Sequence, residues 1–427
     1  MQDNPHIHHR ARLRDRFLRT GLSDFAPHNV LELLLFYAVP RRDTNPIAHA
    51  LLDRFGSVEA ALLAEEDELC RVFGVGEGIA RFFGALGEVI RLALAADTSR
   101  LRLGDADALG RYFCELLRDG GEGAYATVLL DNDFGLISHS VVTDRTSHSS
   151  HFSPATVAGE ALLSHAAMCA VAHRHTDELA LPATEDLDMT RLLRDTLDAS
   201  GVKLLEHYLV GGSRYTTLLY RYSGRYEKGE EIRPQEISEK EREALATLLS
   251  LGRVRADAEG LLASYGGLYR LLTASCARHH HAGLDARTAA FLTLPLSLYR
   301  YTAAARRVPD ADRGEELGRY LTALYRGLGE ETVMLLFFDK DGRHLATHTV
   351  GVGSVGEAGF SCRRIAEGAL FSGARRAVLV HNHPFGSLTP SEEDRAATRM
   401  VATALGGLGV TLVSHYIVAE EDFSSFL

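Results

Sequence analysis

What this chain of 427 residues lacks narrows its class first. It carries five cysteines, Cys70, Cys114, Cys169, Cys276 and Cys362, with no C-x-x-C pair among them. An odd count scattered along a long chain argues against a disulfide framework, and these residues are expected to be small buried hydrophobes. No charged n-region followed by an apolar stretch opens the sequence, and no apolar run approaches the roughly 18 residues of a spanning helix. A cytoplasmic protein without membrane contact is expected. Basic excess is missing as well: 46 Lys and Arg stand against 57 Asp and Glu, a net charge of -11. That balance disfavours strong nonspecific attraction to phosphate backbones, with Arg10, Arg12, Arg14, Arg16 and Arg19 as one local basic segment. At this length, 46% hydrophobic residues are enough for more than one core.

The most informative segment is near the end, Val380-His381-Asn382-His383-Pro384-Phe385-Gly386-Ser387-Leu388-Thr389-Pro390-Ser391-Glu392-Glu393-Asp394. The preceding run Ala377-Val378-Leu379-Val380 has the character of a buried strand. Residues two apart on a strand share a face, so His381 and His383 can grip one ion. A helix start follows, with Thr389 as N-cap, Pro390 in the first turn and Glu392 completing a capping box, and it brings Ser391 and Asp394 to one face. Two histidines and a carboxylate make three ligands and leave a tetrahedral position open, the layout of a catalytic zinc site.

H-x-H, seven residues, S, two residues, D resembles the JAMM motif of the MPN/JAB metallo-isopeptidases. H-N-H-P-x-G and T-P-S-x-x-D resemble their RadC-like bacterial branch, a family named for DNA repair. The resemblance implies an upstream glutamate at a strand start that takes a proton from the attacking water, and Glu331, opening Glu331-Thr332-Val333-Met334-Leu335, matches it. It implies zinc on His381, His383 and Asp394, with Ser391 as donor to the oxyanion. Phe385 departs from the branch, which usually has a small residue there, and is expected to reshape the substrate groove without removing a ligand.

The chain also repeats itself. A shift of 208 residues carries His173, His175, Pro182 and Asp186 onto His381, His383, Pro390 and Asp394, and Asp131 onto Asp339. It also carries Gly110-Arg111-Tyr112 onto Gly318-Arg319-Tyr320 and His207-Tyr208 onto His415-Tyr416. In the flanking helical parts Leu51–Gly56 answers Leu261–Gly266 with a shift of 210. The implied fold class is α/β: two MPN/JAB-like (cytidine-deaminase-like) domains, each preceded by a small helix-hairpin-helix-like module. The expected boundaries are 1–100 for the first helical module and 101–223 for a degenerate α/β domain. A charged linker over 224–243, a degenerate helical module over 244–308 and the metal domain over 309–427 complete the chain.

The two copies have decayed in opposite senses. In the first helical module, Gly74 and Gly76 of Val72-Phe73-Gly74-Val75-Gly76 form a G-x-G between helices, where backbone amides can approach a phosphate. A tight turn without a ligand is the equal alternative, since Glu65, Glu66, Asp67, Glu68 and Glu77 are close by. The second module has Asp285 there instead, and His279-His280-His281 reads as a solvated loop. In the first α/β domain His173, His175 and Asp186 remain as a vestigial ligand set, but Ala183 stands for Ser391 and Gly123 for Glu331, with Glu122 facing away. That domain is expected to be inactive or weakly metal-binding.

The functional expectation is a zinc metallopeptidase or isopeptidase, a hydrolase acting on a protein substrate. The alternative is a nucleic-acid-associated repair factor that binds DNA through its first helical module, with the metal domain as a docking module. A scaffold with a vestigial site is the third reading.

Overall fold

A computed structural model describes residues 5–40, 42–95, 101–121, 123–132, 134–142, 153–175, 182–220, 223–225, 237–352, 362–384 and 387–427. They fold as two compact units, Met1–Ser297 and Leu298–Leu427.

The first unit opens with α1 (Pro5–Thr20), α2 (Pro27–Ala38), α3 (Asn45–Phe55), α4 (Val58–Leu63), α5 (Glu66–Leu69) and α6 (Glu77–Ala95). Pro27 and Pro46 sit in first turns, where a missing N–H costs no intrahelical bond. An α/β domain follows: α7 (Ala106–Leu116), β1 (Tyr125–Leu130), β2 (Leu136–Val142), α8 (Pro154–Leu163), β3 (Met168–Arg174), α9 (Thr184–Ala199), β4 (Lys203–Gly211), β5 (Arg214–Thr217) and β6 (Ser223–Arg225). Its sheet runs β2-β1-β3-β4-β5-β6. β3 and β4 are parallel, and α9 is the crossover such a pair requires.

Next come α10 (Glu239–Leu251), α11 (Ala258–Tyr265), α12 (Leu268–Thr273), α13 (Cys276–His281) and α14 (Ala286–Ala304). α10 packs along α6. The ring of Phe291 lies 4.6 Å from that of Tyr37 and 6.3 Å from that of Phe82. Both helical segments thus bury their apolar stripes in one core. The sequence repeat breaks in the charged stretch 224–243, whereas the compact division falls at Ser297, inside α14.

Three expectations are corrected here. Residues from Glu239 onward are helix and not linker, because Ser238 caps α10 in a capping box with Glu241; residues 226–236 lie outside the described ones. The histidine triplet is helix α13, with His279 buried against Tyr265 Oη at 2.8 Å, and not a solvated loop. Cys70 is exposed, while Cys114 and Cys169 are buried and Cys276 is half-buried.

The second unit contains α15 (Gly314–Tyr325), β7 (Thr332–Phe338), β8 (His344–Val352), α16 (Cys362–Ser372), β9 (Arg376–Asn382), α17 (Glu392–Gly406), β10 (Thr411–Ala419) and β11 (Asp422–Phe426). The sheet order β11-β10-β9-β7-β8 matches β5-β4-β3-β1-β2 of the first domain, with no counterpart of β6 among the described residues. Alternation along the strands splits its core in two. Val333, Leu335, Phe337 and Leu379 pack with Ile365 of α16 and Val401 of α17. Leu336, Phe338, Val378 and Val380 pack with Leu317 and Leu321 of α15. Two residues of β9 continue this alternation, so that His381 belongs to the α17 face and Asn382 to the α15 face.

The repeat extends to atomic detail. Tyr208 Oη donates to the Ala106 carbonyl at 2.9 Å and Tyr416 Oη to that of Gly314 at 3.2 Å. Asp131 Oδ1 accepts from the Gly135 amide and Asp339 Oδ1 from that of Arg343. A Cβ on Gly110 would collide with Tyr215, and one on Gly318 with Phe423, so the helix can approach the sheet only through glycine.

Candidate metal centre

His381 is the penultimate residue of β9, the strand held between β7 and β10, and is fully buried. His383 follows just beyond, where its amide donates to the Val418 carbonyl at 2.8 Å. Asp394 lies in the first turn of α17. The cap of that helix is Ser391, not Thr389, and its capping-box partner is Asp394, not Glu392. The hydroxyl of Ser391 donates to Asp394 Oδ2 at 2.7 Å and accepts from the Asp394 amide at 3.0 Å, while the Ser391 amide donates to the same carboxylate oxygen at 2.8 Å. In this geometry the serine orients a ligand carboxylate.

These elements bring four side chains together. His381 Nε2 is 2.8 Å from His383 Nε2, 3.0 Å from Asp394 Oδ1 and 3.9 Å from Glu331 Oε1; His383 Nε2 is 3.5 Å from Asp394 Oδ2. Ligand atoms around a tetrahedral zinc ion, with bonds of about 2.0–2.1 Å, lie about 3.3 Å apart. The two histidines and Asp394 fit such an ion, and Glu331 stands at its margin.

A proton chain fixes which nitrogen faces that point. Thr398 Oγ1 has one proton and gives it to the Asp394 carbonyl at 2.6 Å. It must then accept from His415 Nδ1 at 2.7 Å. Neutral His415 therefore presents an unprotonated Nε2, which accepts from His381 Nδ1 at 2.8 Å, leaving the Nε2 lone pair of His381 for a metal. His383 Nδ1 donates to the Ser387 carbonyl at 2.6 Å, with the same result. Thr398 and His415 were not singled out from sequence as parts of the site; the only signal was the repeated His-Tyr pair.

Asn382 was missed as well. On the other face of the strand its Oδ1 accepts the Thr332 amide at 2.8 Å and its Nδ2 donates to the Glu330 carbonyl at 3.1 Å. The backbone on both sides of Glu331 is thereby pinned to the ligand strand.

The electrostatics suit cation binding. Burial favours a neutral Asp394 carboxyl, but when protons and not a metal occupy the histidine Nε2 atoms, hydrogen bonds from His381, His383 and Ser391 outweigh it and hold the group well below the usual carboxylate range. Burial lowers His381 and pushes His415 down to about 3. For His383, burial is overcome by Asp394 and the Ser387 carbonyl, and its pKa is raised.

The first domain brings together His173, His175 and Asp186. His173 Nε2 is 3.0 Å from His175 Nε2 and 3.1 Å from Asp186 Oδ1, and His175 Nε2 is 3.4 Å from Asp186 Oδ2. Gly123 lies two residues before Tyr125, the partner of His173, as Glu331 lies two before Val333, the partner of His381. Phe385 and Glu122 lie outside the described residues. Gly74 and Gly76 sit between α5 and α6, Gly74 at φ +84°. Asp285 caps α14, its Oδ1 accepting the amides of Arg287 and Thr288 at 2.8 Å. Among the described residues no helix is long and apolar enough to cross a membrane.

Two α/β domains with the same core topology, each with a His-x-His and Asp cluster at the end of a central strand, define a duplicated fold in which each copy carries a group that could hold a metal ion. A RadC-like JAB domain profile matches residues 103–223 and 312–427, more than half of the chain, and the chain belongs to that family. A UPF0758 protein of Ruegeria pomeroyi is 32% identical over 206 residues, which are 48% of this chain and 92% of the relative. Another from Fusobacterium nucleatum is 26% identical over 227 residues, 51% of this chain and 98% of the relative. One from Burkholderia mallei is 31% identical over 205 residues, 47% and 72% respectively. Each matches about half of this chain, the size of one helical and α/β pair.

Proposed function

We propose that the second unit is a zinc-dependent hydrolase of amide or isopeptide bonds in a protein substrate. The observation that carries this is Glu331 Oε1 at 3.9 Å from His381 Nε2, beside three side chains that could hold one zinc ion. Zinc held by His381, His383 and Asp394 would polarise the scissile carbonyl and acidify the attacking water. Glu331 takes the proton from that water and delivers it to the leaving amine. Ser391 keeps Asp394 oriented, and turning its hydroxyl toward the substrate would let it serve the oxyanion. An unbiased comparison of cleaved partners between the intact protein and Glu331→Gln tests the reading. If both give the same cleavage products, it fails.

A second reading, DNA contact through a helix-hairpin-helix at α5 and α6, has one observation in its favour. Gly74 takes a left-handed conformation that exposes the turn, and the Arg42 guanidinium lies 3.6 Å from where a Gly74 Cβ would stand. Against it, Arg10 is engaged with the Val39 carbonyl and Arg16 with that of Asp24. Gly76 has open space around it, so Gly76→Asp should fold and should weaken DNA binding on all sequences alike. Absence of binding by the parent protein at low salt would end this reading.

A further inference from the structure

The first α/β domain has lost the glutamate and the serine hydroxyl of the second, yet it keeps the threonine–histidine chain that prepares its first histidine. Thr190 Oγ1 donates to the Asp186 carbonyl at 2.6 Å and is 2.7 Å from His207 Nδ1; His207 Nε2 is 2.8 Å from His173 Nδ1. By the same proton count as in the second unit, Thr190 accepts from His207, His207 accepts from His173, and His173 Nε2 is left as a lone pair. That lone pair faces Asp186 Oδ1 and His175 Nε2 at 3.1 and 3.0 Å. His173, His207, Thr190 and Asp186 are all buried. His173 Nε2 and Asp186 Oδ1 are thus two acceptors converging in a buried site, and such a pair repels unless a cation lies between its members.

Ala183 does not undo the site. Its amide still donates to Asp186 Oδ2 at 2.7 Å, so the carboxylate stays oriented without the serine hydroxyl. Gly123 does remove a function: it stands at the position of the base with φ +78°, a conformation a glutamate would adopt only under strain.

We propose that the first domain holds a divalent transition-metal ion of the zinc type on His173, His175 and Asp186, and that this ion is structural and not hydrolytic. It ties β3 to the first turn of α9, as three side chains from two elements would. A proton on His173 is the competing cation, and it predicts no metal at this site. The inference is independent of hydrolysis by the second unit.

Tag-free, full-length protein loaded with zinc and freed of excess metal should contain two zinc ions per chain. His381→Ala/His383→Ala and His173→Ala/His175→Ala should each contain one. A His381→Ala/His383→Ala protein without zinc overturns the proposal. An unchanged content in that variant would instead indict the second site, so the two readings fail separately. In the His381→Ala/His383→Ala background, cobalt serves as a spectroscopic probe. Thr190→Val, which keeps shape and removes the hydroxyl, should weaken cobalt binding by about 10- to 100-fold. Thr190→Ser should restore it. Equal affinity for the Val and Ser forms overturns the role of the proton chain. In the same background a chelator should lower the unfolding temperature, and an unchanged temperature overturns the structural role.

Discussion

Asn382 Oδ1 holds the backbone amide of Thr332 at 2.8 Å, which locks the strand that carries the candidate metal ligands to the residue next to Glu331. The ligand set and the candidate base are thus positioned by opposite faces of one strand. In the first domain the equivalent residue is Arg174, whose guanidinium binds the Leu117 and Arg118 carbonyls instead.

Asn382→Ala should leave zinc content intact and lower hydrolysis, because the backbone around Glu331 is released while no ligand is touched. The lost buried hydrogen bonds should cost about 1–3 kcal/mol. Elemental analysis and a denaturant titration check both statements, and loss of zinc would show that Asn382 supports the ligands themselves.

Glu331→Gln keeps the size of the side chain and removes the base. Zinc content and unfolding temperature should match the parent protein, and turnover should vanish, leaving a form suited to trapping substrates. A variant that lost zinc would make Glu331 a ligand.

Asp394→Asn should lose metal and unfold at lower temperature, since a bound ion stabilises the folded state by linkage. Ser391→Ala should keep the metal, because the amide of residue 391 still reaches Asp394 Oδ2, as that of Ala183 reaches Asp186. Loss of the cap should cost about 1 kcal/mol. Its rate should fall about 10²- to 10³-fold if the hydroxyl also serves the oxyanion. Zinc loss on this change would contradict the comparison with Ala183.

The first unit should become less stable in mild acid. Burial pushes His279 down from 6.5 to about 4, aided by Arg278 and His280, and His139 likewise to about 4, aided by Arg270. Both rings bind protons more readily unfolded than folded. Stability should therefore be full above about pH 6.5 and fall toward pH 4, by at most about 1.4 kcal/mol per pH unit for each ring. Denaturant titrations at pH 7.5 and 5 measure this. His279→Gln should shrink the difference, and an unchanged difference would rule out His279 as a contributor.

By itself the sequence determined the duplicated α/β architecture and picked out the candidate ligand set. Both depend on local order: apolar strands of period two, a helix cap and His-x-His spacing are properties of consecutive residues, and a constant shift of 208 is visible without folding. Even the misplaced cap was a local ambiguity, since Thr389 and Ser391 are both good caps and only the reach of Asp394 to Ser391 chose between them. Tertiary structure alone decided the rest. His415 lies 34 residues from His381 and Asn382 lies 50 from Thr332, and they meet only because β9 is central in its sheet. The helices after the charged stretch, expected to open the second half, share a core with the first helices, where Phe291 packs on Tyr37 and Phe82, and small helical segments have too little interior to bury such side chains alone.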